Sequence, residues 1–490
     1  MIKRRTLLSS ISCLPFLSVP SVFAEENEWK ETVDVLVFGG GMGGLTAAIS
    51  AKQSGMKKVL LLEKAPFLGG HSVMSGSGYY IGGTDIQKSA GIDDSIETNW
   101  KDSVDRGIKA NKFIKRDTDV VRVVYDQGPA TMKWLQQLGV QFTDKPVQGI
   151  GNRKRVHYVA PGYKKGSPEL IRALKEAAEK LRVVIQTDCQ LVSLITKTKE
   201  LGSPVIGAVV NEKGKIFKVR ATHGVILATG GFANNPEMVK AHHPYLEGVP
   251  SLGSKMNTGD GIKAATDIGA RFITETNGFG MNMLFVGTHK GQSMGLPLTE
   301  APIIVVNKKG ERFQDESRGY LACTHMMVQK GYKVAYWIFD QKTFDQFRNG
   351  CLKPLFETEV VHEYPSLTAL AKGEGIEEPQ LLKTVREYNE DVSKGKDRYF
   401  GRGKLLQTLD KGPYYAFEAE PRIYTSYSGL EINTKAQVIN TRGEAIPGLY
   451  AVGDVTGHLA YQANLGGGGV SGLSCAAVYG KIAGKEAARN

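Results

Sequence analysis

The stretch Val33–Glu63, VDVLVFGGGMGGLTAAISAKQSGMKKVLLLE, constrains this chain more than any other. Val33–Phe38 is an apolar run of strand length, and Gly39, Gly41 and Gly44 follow in G-x-G-x-x-G spacing. Leu45–Gly55 carries the small-residue pattern of a helix, and Val59–Leu62 is a second apolar strand closed by Glu63. Each part has a physical job. Gly39 permits the tight turn out of the strand, Gly41 leaves room for a pyrophosphate, and Gly44 lets helix pack on strand. The helix N-terminus faces the phosphate charge. Glu63 can accept hydrogen bonds from a ribose diol. The glycine spacing alone is a weak signal, but a preceding strand, a following helix and a closing acid make it specific. This predicts an α/β, Rossmann-type dinucleotide site.

Ahead of that stretch, MIKRRTLLSSISCLPFLSVPSVFA has a basic start, an apolar middle and Val22-Phe23-Ala24 before Glu25. This predicts a secretory leader over residues 1–24. The Arg4-Arg5 pair followed by Thr-Leu-Leu resembles a twin-arginine signal, so the expected location is periplasmic. Losing the leader removes Lys3, Arg4 and Arg5 and lowers the formal charge of +12 by three. No dense basic run with interleaved aromatics accompanies the remaining charge, so nucleic acid is not an expected partner. A basic surface fits an acidic electron-transfer partner or an anionic substrate. No later stretch is apolar and long enough to span a membrane. Cys189, Cys323, Cys351 and Cys475 are scattered without C-x-x-C spacing, which argues against structural zinc and thiol redox chemistry. The chain has no C-x-x-C-H, hence no site for c-type haem.

After Glu63 and Lys64, the segments Gly69-Gly70-His71-Ser72 and Ser75-Gly76-Ser77-Gly78 can lay N–H groups and hydroxyls against a second phosphate or an aromatic ring system. Residues between Asp85 and Asp144 show helical spacing, as in Val120–Leu138. Arg155-Val156-His157 precedes a Gly/Pro turn, and Ser167–Lys180 reads as a helix with Ser167 as N-cap. Val183–Gln186, Val205–Val210 and Ile216–Thr222 read as strands. A further apolar strand ends in Ala228-Thr229-Gly230-Gly231, and Asn257–Ile262 opens a helix over Ile262–Gly269. Arg271–Phe417 changes character, with more aromatics, polar helices and no nucleotide motif. It reads as an inserted second domain. Gly448–Gly453 is then another strand closed by Asp454, and Asn464–Gly472 leads into a small-residue helix, Leu473–Ala487.

These elements, in this order, resemble the fumarate reductase/succinate dehydrogenase flavoprotein superfamily, and most closely the soluble flavocytochrome-c-type reductases. The resemblance covers nearly the whole chain after the leader. Its FAD motifs fall at Gly39–Gly44, Glu63, Gly69–Ser72, Ala228–Gly231, Thr258–Gly261 and Gly453-Asp454. It implies a Rossmann-type FAD-binding domain split into 30–272 and 423–490, with an α+β capping domain, 273–422, inserted and closing over the flavin. The implied cofactor contacts are Gly39, Gly41, Gly43, Gly44, Glu63, Lys64, Gly70, His71, Ser72, Gly76, Ala228, Thr229, Gly230, Asp260, Gly453, Asp454, Gly469 and Val470. The family's histidine-linked members place a His in the early Gly-rich loop. His71 instead occupies the place where the soluble reductases carry Asn, so non-covalent FAD is expected.

Reducing an activated C=C bond needs a hydride at one carbon, an acid to protonate the other, and groups that polarise the attached carbonyl. In the family a Thr-Glu pair precedes G-x-R-F-x-x-E, and an arginine four residues past that glutamate donates the proton. Thr299-Glu300 and Gly310–Glu316 match, but Tyr320 stands in the arginine's place and Arg318 lies two residues earlier. Either the loop is shifted and Arg318 donates, or Tyr320 does, as the resemblance to 3-ketosteroid Δ1-dehydrogenases suggests. Glu300 would relay protons. The family's His-His-Thr-Met-Gly-Gly carboxylate clamp is here Tyr424-Thr425-Ser426-Tyr427-Ser428-Gly429. Asn464 takes the place of the clamp arginine before Leu465-Gly466-Gly467. A second substrate carboxylate would lose its bidentate partner. Thr299, Tyr424, Tyr427, Asn464 and Gly467 are the expected substrate contacts.

The expected function is thus an exported FAD enzyme reducing the C=C bond of a small unsaturated carbonyl compound other than fumarate, supplied by a separate c-type cytochrome. A dehydrogenase of the ketosteroid type and a non-catalytic FAD electron carrier are the alternatives.

Overall fold

The computed structural model describes residues 29–109, 118–148, 153–163, 165–274, 279–285, 293–294, 301–349, 352, 356, 360–404, 406–457 and 470–490. The expected leader and Thr299, Glu300, Asn464, Gly467 and Gly469 lie outside the described residues.

Strands β1 (Trp29–Phe38) and β2 (Val59–Leu62) run parallel, in register from Val35 against Val59 to Phe38 against Leu62. The crossover between them is the helix Met42–Gln53, whose residues Met42 to Ala51 are all buried. A helix buried on every side has no polar stripe. Its small residues let it pack against the C-terminal helix Gly472–Ala487, where the Ser50 hydroxyl donates to the Lys481 carbonyl at 2.6 Å. Strands β3 (Gly78–Tyr80), β4 (Val147–Gln148) and β5 (Lys154–Tyr158) form a separate antiparallel sheet. The helical region expected between them is three helices, Asp85–Ser89, Ile96–Lys109 and Thr118–Gln137.

Ser167 is not a helix N-cap. The helix is Gly166–Lys180 with Lys165 at the cap position, and the buried Ser167 hydroxyl donates to the Ser75 carbonyl at 2.8 Å. It ties the early Gly-rich loop to the helix instead of capping a turn.

Strands β6 (Val184–Gln186), β7 (Cys189–Thr196), β8 (Val205–Glu212) and β9 (Lys215–Leu227) rejoin the first sheet. The two strands expected on either side of His223 are one continuous β9, because its first half pairs with β8 and its second half with β1. The expected helix Ile262–Gly269 is Asp260–Thr266. Strand β10 (Phe272–Ile273) leads toward a second, antiparallel sheet of β11 (Phe279–Phe285), β12 (Ser293–Met294), β13 (Ile304–Val306), β14 (Ala335–Asp340), β15 (His362–Tyr364) and β16 (Tyr414–Ser426). Both faces of this sheet are buried. Val305, Trp337, Phe339 and Phe417 pack on one side, and Ile304, Val306, Ile338 and Ala416 on the other. The alternation follows from the period of two along a strand.

Strand β17 (Gly429–Leu430) pairs with β10. Strands β18 (Gln437–Ile439) and β19 (Ala445–Ala451) complete the first sheet, whose order is β18-β19-β9-β1-β2-β6, with β8 and β7 branching from β9. Strands β19, β9, β1, β2 and β6 are mutually parallel, so their C-terminal ends share one edge. No helix among the described residues is long and apolar enough to cross a membrane.

Candidate active site

A cavity of about 370 Å³ lies along that edge. Phe38, Leu62, Ala228 and Val452, at or just past the C-terminal ends of β1, β2, β9 and β19, all line it. This is where open parallel sheets bind ligands. Gly39, with φ of +109°, makes the first turn, and a Cβ there would stand 2.1 Å from the Ala228 carbonyl oxygen. Gly44 lies behind the wall: its Cβ would stand 1.8 Å from the Gly39 oxygen, so it seats the helix against the turn and does not face the cavity. Gly41, Gly43, Gly70, Ser72 and Gly76 do line it, and the Ser72 hydroxyl accepts from Met42 N at 3.1 Å, clamping the Gly-rich loop to the helix start.

Glu63 closes β2 and is buried. Its Oε2 accepts from Gly40 N at 2.6 Å and its Oε1 from Ala65 N at 2.7 Å. Burial raises its pKa, against the lowering by the backbone N–H groups of Ala65, Gly40 and Lys64. Lys64 is committed elsewhere: its Nζ lies 3.0 Å from Asp260 Oδ2 and donates to Thr258 Oγ1 at 2.6 Å. Thr229 and Gly230 line the wall beside Asp260, and Gly453 and Asp454 face them from the turn after β19.

The wall also carries aromatic side chains, with Tyr424 and Tyr427 brought in at the end of β16 and Tyr158 and Tyr163 from the small sheet and its turn. The His71 ring lies 4.2 Å from that of Tyr424, and its Nδ1 is 3.1 Å from Asp454 Oδ2. Burial alone would raise the Asp454 carboxyl, but bonds from His71 and Thr425 hold it below the usual carboxylate range. Tyr158, Tyr163, Asn257 and Thr425 were not expected here. Two of them had a signal: Asn257 is next to Thr258–Gly261, and Thr425 lies within the stretch Tyr424–Gly429.

Arg318 ends the short turn Glu316–Arg318, is exposed, and is not on the cavity wall. Tyr320 opens the helix Tyr320–Gln329. Val470 is buried beneath the wall, and its neighbours Ser471, Gly472 and Leu473 line the cavity.

His71 Nε2, Thr229 Oγ1 and Asn257 Nδ2 are buried on residues of this wall without a protein partner. Each such atom costs about 1–3 kcal/mol if left unpaired. Three of them on one cavity, beside glycines that leave backbone bare, fit a bound group rich in hydrogen-bonding atoms, as a flavin dinucleotide is.

A family model described as an FAD binding domain matches residues 34–477. The fumarate reductase (cytochrome) of Shewanella frigidimarina is 34% identical over 94% of this chain and 77% of its own length. The urocanate reductase of Eggerthella lenta is 29% identical over 98% of this chain and 82% of its own length. The open conformation of a flavocytochrome c3 fumarate reductase superposes with a TM-score of 0.78 at 29% identity, over 94% of this chain and 79% of that one. Fold, cavity and these likenesses agree on a flavoprotein oxidoreductase. The chain belongs to the fumarate reductase flavoprotein superfamily, and its cofactor is FAD.

Proposed function

We propose that this chain is an exported FAD-dependent reductase of the C=C bond of an unsaturated carbonyl compound, acting on a monocarboxylate or neutral alkene in preference to fumarate. One observation carries the specificity. Among the described residues lining the cavity the basic side chains are Lys64 and His71, and Lys64 is paired with Asp260. No described lining residue is an arginine. With Asn464 in the clamp arginine's place, the described lining offers a second carboxylate no bidentate partner, and an unpaired buried carboxylate costs several kcal/mol, on the order of that for other unpaired buried charges. Tyr424 and Tyr427 offer aromatic faces and hydroxyls, which suit a flat conjugated substrate. The urocanate reductase likeness supports a monocarboxylate.

FAD, when bound, supplies the hydride. This chain's residues do the rest in the proposed scheme. Gly39, Gly41, Gly43, Gly70, Ser72 and Gly76 expose backbone to the dinucleotide, Glu63 stiffens the glycine turn, and the hold is non-covalent. Residues 273–422 act as the cap. Its closure would bring Arg318 or Tyr320 to the substrate carbon that takes the proton, with Glu300 as relay and Thr299, Asn464 and Gly467 completing the pocket. Electrons come from a separate c-type cytochrome, which the lack of C-x-x-C-H in this sequence supports. The leader supports export, by the twin-arginine route. The relatives reported above are named as reductases, which favours reduction over dehydrogenation.

The test is a panel of enoates offered to the purified protein with reduced viologen. Viologen oxidation with a monocarboxylic or neutral enoate is expected. Dye reduction by a saturated ketone, with every enoate inert, would overturn the reading.

A further inference from the structure

His71 and Asp454 lie 383 positions apart and meet on the cavity wall. Asp454 Oδ2 is within 3.1 Å of His71 Nδ1 and accepts from the Thr425 hydroxyl at 2.6 Å. Thr425 spends its only proton on the carboxylate. An ionised carboxylate accepts and never donates, so the bond to His71 requires the imidazole proton on Nδ1. The Tyr424 ring, 4.2 Å away and tilted 58°, limits rotation of the imidazole, and Tyr424 is itself held by donation to the Met74 carbonyl at 3.3 Å. What remains is Nε2, buried and without a protein partner. In a neutral imidazole protonated at Nδ1, that atom is a bare lone pair.

We propose that His71 is an acceptor that orients the cofactor: Asp454 fixes its proton on Nδ1, and Nε2 receives a hydrogen bond from a hydroxyl or ring N–H of bound FAD. Asp454 is then a positioning residue that acts through His71. The arrangement follows the logic by which a carboxylate behind a histidine sets the tautomer of the working nitrogen. The inference rests on the FAD site alone and is independent of which substrate is reduced or in which direction.

Two measurements on the holoenzyme test it. The first is FAD affinity, read from flavin fluorescence on dilution, for wild type, His71→Phe, Asp454→Asn and the double variant. His71→Phe keeps an aromatic ring against Tyr424 and should weaken FAD binding roughly 3- to 10-fold, the worth of one hydrogen bond. Asp454→Asn should weaken it too, but far less in the His71→Phe background, since both changes break one linkage. Fully additive losses would mean that Asp454 acts on FAD directly, and would overturn the proposal. The second is ¹⁵N NMR of the histidine-labelled wild-type holoenzyme, with the His71 signal assigned by its loss in His71→Phe. An unprotonated Nε2 is expected, and a protonated Nε2 would refute the scheme even if Asp454→Asn fails to fold.

Discussion

Arg402 Nη1 stands 3.0 Å from Glu316 Oε2, and neither side chain touches water. Glu316 also takes Arg312 at 2.7 Å, and Arg312 reaches Asp397 at 3.0 Å. Glu316, the member shared by both arginines, is the first residue of the turn that ends at Arg318. Removing one member leaves its partner's charge short of compensation in the core. Arg402→Leu should therefore destabilise the protein by about 3 kcal/mol, seen as a clear fall in urea midpoint. A loss under about 1 kcal/mol would be that of a solvent-screened pair, and would show that water reaches the cluster.

Flavin released by heat should run as FAD. Glu63→Gln replaces one of the two carboxylate acceptors with an amide donor, so Gly40 N or Ala65 N loses its partner. A lost buried bond of this kind costs about 1–3 kcal/mol. The variant should purify with reduced flavin content and weaker FAD binding. Unchanged affinity would show that the glycine turn holds its shape without the acid.

Fumarate should be turned over very poorly compared with a monocarboxylic or neutral enoate. Each 1.4 kcal/mol of unpaired charge is about a tenfold loss in kcat/KM. Fast fumarate reduction at low KM would reveal a cation beyond the described wall that does the clamping.

The proton donor should separate cleanly by variant. General acid help is worth roughly 10²–10⁴-fold. If Arg318 donates, Arg318→Ala loses that factor and Tyr320→Phe stays close to wild type; if Tyr320 donates, the order reverses. Glu300→Gln should be slow in either case. FAD content, measured in each variant, must be unchanged. Near-normal rates in all three would move the role to Tyr424 or Tyr427.

Acid stability carries a signature of its own. Burial alone would raise the Asp94 carboxyl, but hydrogen bonds from Arg155 and Gln87 hold it below its ordinary 3.8. Asp397 is lowered likewise: burial would raise it, but Arg312 and the backbone N–H groups of Tyr399 and Phe400 together outweigh burial. A depressed carboxylate stabilises the fold above the unfolded-state value and loses that stabilisation as pH falls through the folded value. The thermal midpoint should hold near about pH 5 and fall steeply below about pH 4. Asp94→Asn should flatten part of that fall, and an unchanged slope would exclude Asp94 as a contributor.

What the sequence made readable was local. Val33–Glu63 declared strand, glycine turn, helix, strand and acid because each signal sits within a few residues of the next, and β2 falls on Val59–Leu62 as read. Strand β7 is not legible because Cys189–Thr196 has no strict alternation, even though the turn residue Asp188, with φ of +59°, stands just before it. Ser167 looked like a cap because Ser often is one, and its buried bond to Ser75 is a tertiary fact that no local pattern encodes. The same holds for His71 with Asp454 and for Asp94 with Arg155, where chain-distant partners define the chemistry. Arg318 illustrates the converse. Its motif is legible, yet its distance from the cavity depends on how two sheets are disposed, which spacing along the chain does not report.

Strand β16 is the central member of the second sheet, pairing with β11, β14 and β15, and its last residues are Tyr424, Thr425 and Ser426. A body hung on a strand cannot swing without twisting the strand's end. Any rotation of the second sheet is therefore geared to the tilt of Tyr424 against His71 and of Thr425 against Asp454. With FAD held at His71 as proposed, the flavin's absorption spectrum would be a built-in gauge of how far the second sheet has turned.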